Sequence, residues 1–83
     1  MAVKLKFFAM LKGLIGREEA ELEIPGEISM AELKTIIKRE YPVLADLIDK
    51  RGVLVSVNQE FAGNEMTIKD GDEVAFLPPF SGG

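Results

Sequence analysis

The feature that most constrains the fold is the one long stretch of helical periodicity in this chain of 83 residues. Its apolar residues recur at the spacing of a single helix face: Leu33, Ile36 and Ile37. Ser29 and Glu32 fit a capping box at its start, and Pro42 disfavours helical torsions at Tyr41, where the helix should end. Because one amphipathic helix covers only one face of a sheet, the pattern predicts an α+β fold in which a mixed sheet carries one main helix on one face.

Most of the remaining sequence alternates apolar with polar residues, which is the period of half-buried strands. The alternation predicts strands at residues 3–7, 19–24 and 53–57, around Phe61, and at 73–77. We expect the first two strands to form a hairpin closed by a turn between Gly13 and Gly16. Residues 44–48 are expected to form a short helical turn, and residues 69–72 a tight turn in which backbone hydrogen bonding accounts for Asp70 and Asp72.

Composition excludes several classes of function. Ten basic and fourteen acidic residues give a net charge of −4, which argues against nucleic-acid binding and favours partners with basic surfaces. Cysteine and histidine are absent, so thiolate nucleophiles, imidazole bases and the common zinc sites are missing, and we expect no bound cofactor or metal. Charges among the first six residues leave no apolar core for a signal peptide, and they predict a soluble, cytoplasmic protein.

The end of the chain carries the most specific information. We divide the sequence into a domain at residues 1–77 and an extended tail at 78–83 that ends in Gly82-Gly83. Six extended residues reach roughly 20 Å at about 3.3 Å each, and glycines let a narrow channel enclose the backbone. Such a tail can carry its terminal carboxylate into the active site of another protein. A frayed terminus or a cloning remnant is the alternative explanation of a bare Gly-Gly.

Strand parity points to an exposed apolar surface on the side away from the helix. If the apolar residues of the first and last strands face the helix, Phe8 and Leu77 face outward. With Phe80 and Phe61 they would form an apolar patch of the kind that marks binding sites. Polar contacts at Lys4 or Lys6 would flank this patch, although simple solvation explains each of them better. The alternative is that an extra short helix or a local twist buries these side chains.

Three segments resemble those of MoaD-type proteins, the small sulfur-carrying subunits of molybdopterin synthase. They are VAFLPPFSGG at residues 74–83 with DGDE before it, VKLKFFAMLKGLIG at residues 3–16, and Val57-Asn58 before a turn. The resemblance covers nearly the whole chain and implies a ubiquitin-like β-grasp fold. This chain departs from the family pattern at residues 11–13, Leu-Lys-Gly in place of the common Leu-Arg-Glu, and at Phe80, where a smaller Val is usual.

The resemblance also implies a sulfur-transfer cycle. An ATP-dependent enzyme of the ubiquitin-activating type would adenylate Gly83, and a sulfur donor would convert the adenylate to a thiocarboxylate. The sulfur would then pass to cyclic pyranopterin monophosphate in the large synthase subunit, typically in a heterotetramer. Gly82 would be the flexible neighbour of the sulfur bearer. The residues expected to contact partners are Phe8, Phe61, Leu77, Pro78, Pro79, Phe80 and Ser81.

Three other functions share some of these features. A ubiquitin-like modifier, joined to target lysines through Gly83, needs the same activated terminus. A thiamine-type sulfur carrier (ThiS) also ends in Gly-Gly, although such chains tend to be shorter and to lack the proline pair. A plain interaction domain would leave the tail idle. In none of these functions does the chain act as an enzyme on its own.

Overall fold

The computed structural model describes residues 1–50, 52–61 and 63–78. Along them a strand and a helix are followed by two strands, two helices and four strands. The elements are β1 Ala2–Phe7, α1 Met10–Ile15, β2 Glu19–Glu23, β3 Ile28–Ser29, α2 Met30–Glu40, α3 Pro42–Lys50, β4 Leu54–Val57, β5 Glu60–Phe61, β6 Thr67–Ile68 and β7 Glu73–Leu77.

Five of the strands form one mixed sheet in the order β2-β1-β7-β4-β5. The first and last strands of the described residues, β1 and β7, lie side by side and parallel, and the other neighbours in this sheet are antiparallel. The antiparallel pairing of β1 with β2 confirms the predicted N-terminal hairpin. β3 and β6 form a separate two-stranded sheet.

The core lies between α2 and one face of the five-stranded sheet. Side chains from both layers are almost completely buried in one cluster: Leu5, Phe7, Leu33, Ile37, Val74 and Phe76. The Phe7 ring stacks on Phe76 at a centroid distance of 5.6 Å and meets Tyr41 edge-on at 5.7 Å. These contacts confirm the predicted mixed sheet with one main helix on one face.

α2 begins and ends where the sequence predicts. The Ser29 hydroxyl oxygen accepts a hydrogen bond from the Glu32 N–H at 3.1 Å, and the Ser29 N–H donates to Glu32 Oε1 at 3.4 Å, which completes the capping box. The helix ends at Glu40, and the N–H of Tyr41 donates to the Ile37 carbonyl at 2.7 Å. Local sequence signals therefore determine where this helix begins and ends, without any reference to its packing.

The predicted turn between Gly13 and Gly16 is wrong, because a helix, α1, occupies Met10–Ile15. Gly16 ends this helix with a φ of 87° and donates its N–H to the Lys12 carbonyl at 2.9 Å. The helix was hidden in the sequence because it is short, Leu11 is its only buried residue, and Gly13 weakens its helix propensity. It also begins after Ala9, which has a φ of 53° and a ψ of −128°. No pattern in the sequence predicts such backbone angles at an alanine.

Three other elements extend the predicted order. The helical turn expected at 44–48 is a longer helix, α3, which begins at Pro42, since proline is well tolerated at a first helical position. β3 and β6 have only two residues each, too few to show an alternation that could be read from the sequence.

Among the residues that the structure describes, no helix is long and apolar enough to cross a bilayer. The division into a domain at 1–77 and a tail at 78–83 stays a prediction, because residues 79–83 lie outside the described residues.

Replacing Ala9 with glycine should stabilise the protein. An alanine at this φ carries a strain on the order of 1–3 kcal/mol, and the greater unfolded-state entropy of glycine offsets part of the gain. We expect the free energy of unfolding in urea to rise by about 1 kcal/mol for Ala9→Gly. Ala45→Gly, inside α3, is the matched control and should lose about 1 kcal/mol. A similar loss at both positions would contradict strain at Ala9.

Replacing Asn58 with alanine should destabilise the protein, because this side chain joins two turns. Asn58 Oδ1 accepts a hydrogen bond from the Glu73 N–H at 3.0 Å, and Nδ2 donates to Asp72 Oδ1 at 3.0 Å. Its φ of 51° also suits asparagine better than alanine. Thermal and urea unfolding of Asn58→Ala should show a loss of about 2 kcal/mol. Gln59→Ala, at a φ of 72° in the same turn, is the control, and an equal loss there would rule out the hydrogen bonds as the cause.

Candidate functional site

The sheet face that points away from α2 carries an open depression of about 290 Å³. The residues that line it come from four of the five strands and from the turns beside them: Lys6, Phe8, Ser56, Gln59, Phe61, Glu73, Ala75 and Leu77. We call this surface the outer depression. It brings together Phe8, Phe61 and Leu77, three of the four residues of the predicted apolar patch.

Backbone pairing places each of these aromatic and aliphatic side chains. The Phe8 N–H donates to the Phe76 carbonyl at 3.3 Å, which extends the β1–β7 pairing by one residue and turns the Phe8 ring outward. Phe61 lies opposite Ser56 on the two-residue edge strand β5. Phe8 and Phe61 remain 43% and 75% exposed, so α1 does not bury Phe8 as the alternative interpretation required.

Leu54 is a residue of this face that the sequence analysis missed. It pairs with Leu77 across β4 and β7 and is 44% exposed. The signal was present in the sequence, because Leu54 alternates with the buried Val53 and Val55. Its position beside Leu77 depends on the register of two distant strands, which the sequence does not show.

The charged border of the outer depression also differs from expectation. Lys6 was explained by simple solvation, but its Nζ lies 3.6 Å from Glu73 Oε1 and 3.8 Å from Glu19 Oε1. It is therefore held between carboxylates on the two neighbouring strands. An apolar centre with a polar and charged rim is the usual composition of a protein-docking surface.

The structure covers only part of the predicted tail. Pro78 is half-buried and directly follows Leu77 at the outer depression. The other predicted tail residues lie outside the described residues: Pro79, Phe80, Ser81, Gly82 and Gly83. Their roles stay predictions, as does the partner-binding role of Phe8, Phe61, Leu77 and Pro78.

Asp70 and Asp72 serve the turn before β7, as predicted. Asp70 Oδ1 accepts a hydrogen bond from the Ala2 N–H at 2.7 Å, and Asp72 Oδ2 accepts one from the Lys69 N–H at 2.8 Å. The Asp70 bond attaches the turn to the start of β1, and the Asp72 bond lies within the turn itself. Within residues 1–50, 52–61 and 63–78, no three His, Cys, Asp or Glu side chains are placed to hold a metal ion.

The chain has relatives that match it along its whole length. The model of the ThiS family matches residues 5–83. The molybdopterin synthase sulfur carrier subunit of Caenorhabditis briggsae is 34% identical over 85 residues, which cover 100% of this chain and 99% of that protein.

Solved structures agree with this similarity. SAMP1 from Haloferax volcanii superposes with a TM-score of 0.83 at 25% identity, covering 100% of both chains. A chain in the protein–protein complex of subunits 1 and 2 of molybdopterin-converting factor from Helicobacter pylori superposes with a TM-score of 0.69 at 26% identity, again covering 100% of both chains. The ubiquitin-like β-grasp fold implied by the sequence resemblance is thereby confirmed. The chain belongs to the ThiS family, and within it matches proteins named molybdopterin synthase sulfur carrier subunit along its whole length.

Proposed function

We propose that this protein is the sulfur-carrying small subunit of a molybdopterin synthase and donates sulfur to cyclic pyranopterin monophosphate to form molybdopterin. The observation that carries the proposal is the full-length similarity to the molybdopterin synthase sulfur carrier subunit, at 34% identity. The terminal Gly82-Gly83 adds to it, because a backbone without β-carbons suits entry into a narrow active site.

The chemistry takes place at the terminal carboxylate of Gly83. This group is ionised at neutral pH and is a poor electrophile until it is activated. A carboxylate oxygen attacks the α-phosphorus of ATP on an adenylating enzyme, and pyrophosphate leaves. A sulfur nucleophile then attacks the carbonyl carbon of the adenylate, and AMP leaves, so that one oxygen of the carboxylate is replaced by sulfur.

The domain itself supplies binding rather than catalysis. With no histidine or cysteine in the sequence, it offers no imidazole base and no thiolate nucleophile for sulfur transfer. The sulfur bearer is therefore a protein cosubstrate that becomes part of an enzyme when it joins the large subunit. The ATP is bound by the activating enzyme, and this chain holds no cofactor of its own.

The outer depression is the proposed docking site for the large subunit. The Helicobacter pylori structure contains subunits 1 and 2 of the converting factor in one complex, which supports a partner of this kind. The tail begins beside the depression, because Leu77 lines it and ends β7. A partner that covers the depression therefore lies within the reach of roughly 20 Å that six extended residues provide. The heterotetrameric arrangement and the cytoplasmic location complete the proposal.

A modifier function is the second candidate, supported by the similarity at 25% identity to SAMP1, whose full name is small archaeal modifier protein 1. It needs the same adenylated glycine but ends in an amide bond to a lysine of a target protein. An immunoblot of cell lysate separates the two functions, because only the modifier produces a ladder of larger bands that is stable to thiols. A thiamine-type carrier would instead pass its sulfur to a different acceptor.

Intact mass spectrometry tests the chemistry. After incubation with ATP, the cognate activating enzyme and a sulfide source, the mass should rise by the difference between one sulfur and one oxygen. Fragmentation should place this change on Gly83, which distinguishes it from oxidation of any of the 4 methionines. A chain lacking Gly83 is the control and should stay unmodified. Adenylation without sulfur would favour the modifier, and an inert Gly83 would overturn both functions.

Phe61→Asp tests the docking site. The Phe61 side chain is 75% exposed on an edge strand, so its replacement should leave the thermal stability nearly unchanged. It places a charge in the apolar depression, and we expect the affinity for the cognate large subunit to fall at least tenfold, about 1.4 kcal/mol. Val43→Asp, at a 46% exposed position on α3, is the matched control. Equal affinities for both variants, measured by titration calorimetry, would exclude the outer depression as the docking site.

A further inference from the structure

A row of alternating charges runs across the outer sheet face next to the apolar residues. Lys4 and Lys6 lie on β1, with Glu19 and Glu21 on β2 at one side and Glu73 on β7 at the other. In the strand register Lys4 is opposite both Glu21 and Glu73, and Lys6 is opposite Glu19. We call these five residues the charge ladder. It holds three carboxylates against two ammonium groups, so it carries an excess of one negative charge.

The charge ladder reaches into the outer depression at Lys6 and Glu73, which line it together with the apolar side chains. The Lys6 and Glu73 side chains are only 30% and 33% exposed even before a partner binds. The Lys6 ammonium group is shared between the carboxylates of Glu73 and Glu19. Both distances, 3.6 and 3.8 Å, are those of loose ion pairs rather than short hydrogen bonds. A single ammonium group thus balances two carboxylates, Glu73 in the lining of the depression and Glu19 on the next strand, β2.

A partner that covers the depression removes water from its charged border. Dehydrating two carboxylates that share one ammonium group is costly unless another positive charge comes close. The net charge of −4 over the whole chain also favours a basic partner, because it attracts positively charged surfaces at longer range. A partner surface that fits the outer depression should therefore combine an apolar group with a neighbouring basic group.

We propose that the partner surface presents a Lys or Arg side chain to Glu73 and Glu19, next to the apolar group that fills the outer depression. In this arrangement Lys6 weakens the attraction between the partner's basic side chain and the two carboxylates, because Lys6 forms ion pairs with both of them in the free protein. The inference rests on the proposed function, in that the outer depression is the docking site and the large synthase subunit is the partner.

The arrangement predicts opposite effects for two neutralising substitutions. Lys6→Gln frees the carboxylates, so association with the large subunit should become faster and tighter. Glu73→Gln removes one of the carboxylates, so association should become slower and weaker. We expect each association rate constant to change roughly threefold or more at low salt, and both changes to shrink at about 0.5 M salt, where charges are strongly screened.

The experiment is a stopped-flow measurement of association with the cognate large subunit at both salt concentrations. Two control variants carry the same changes in net charge on α2, which lies against the other face of the sheet: Lys34→Gln and Glu40→Gln. Thermal unfolding of all four variants checks that they remain folded. The proposal requires that the effects at Lys6 and Glu73 have opposite signs and exceed those of the controls.

Two outcomes would overturn the inference. Reversed signs at Lys6 and Glu73 would mean that the partner presents an acidic group to Lys6. Effects equal to those of the controls would mean that the partner presents no charged group to Lys6, Glu73 and Glu19. In either case the docking site itself still stands if Phe61→Asp weakens binding. If the unsubstituted protein fails to bind the large subunit, the proposed function fails instead.

Discussion

The parallel pairing of β1 with β7 is the contact on which the rest of the structure depends. It joins two strands that are far apart in the sequence, with Leu5 opposite Val74 and Phe7 opposite Phe76. Because side chains alternate between the two faces of a sheet, this register places all four of these side chains on the face that packs against α2. A slip of one residue would exchange the two faces of either strand. The same pairing therefore determines the core and the outer depression together.

Much of the fold could be predicted from the sequence because its signals are local. Alternation at period two identified the long strands, and the capping box fixed the start of α2. Parity within β7 was enough to turn Leu77 outward, and the burial of Val74 and Phe76 confirms that argument. The turn at Asp70 and Asp72 followed from side chains that bond to nearby backbone.

What could not be predicted depends on contacts between distant segments or on unusual backbone. α1 begins at a strained Ala9, where a glycine would have marked the turn, and it is stabilised by the burial of Leu11 rather than by its own propensity. Leu54 reaches the outer face beside Leu77 only through the register of β4 with β7. The ion pairs of Lys6 likewise require two neighbouring strands from opposite ends of the chain, so parity alone suggested a solvated lysine.

The fold separates binding from chemistry in a way that suits a carrier. The outer depression lies on the five-stranded sheet, and the predicted tail starts directly beside it, at the end of β7. A partner can recognise the domain through apolar and charged contacts, and the reacting group then needs only enough chain to reach the partner's active site. Because the tail continues from the strand that lines the depression, the docking position limits where Gly83 can go. In the proposed function, a chain that contributes only its terminal carboxylate to the chemistry still determines, through its docking surface, where and with which protein that carboxylate reacts.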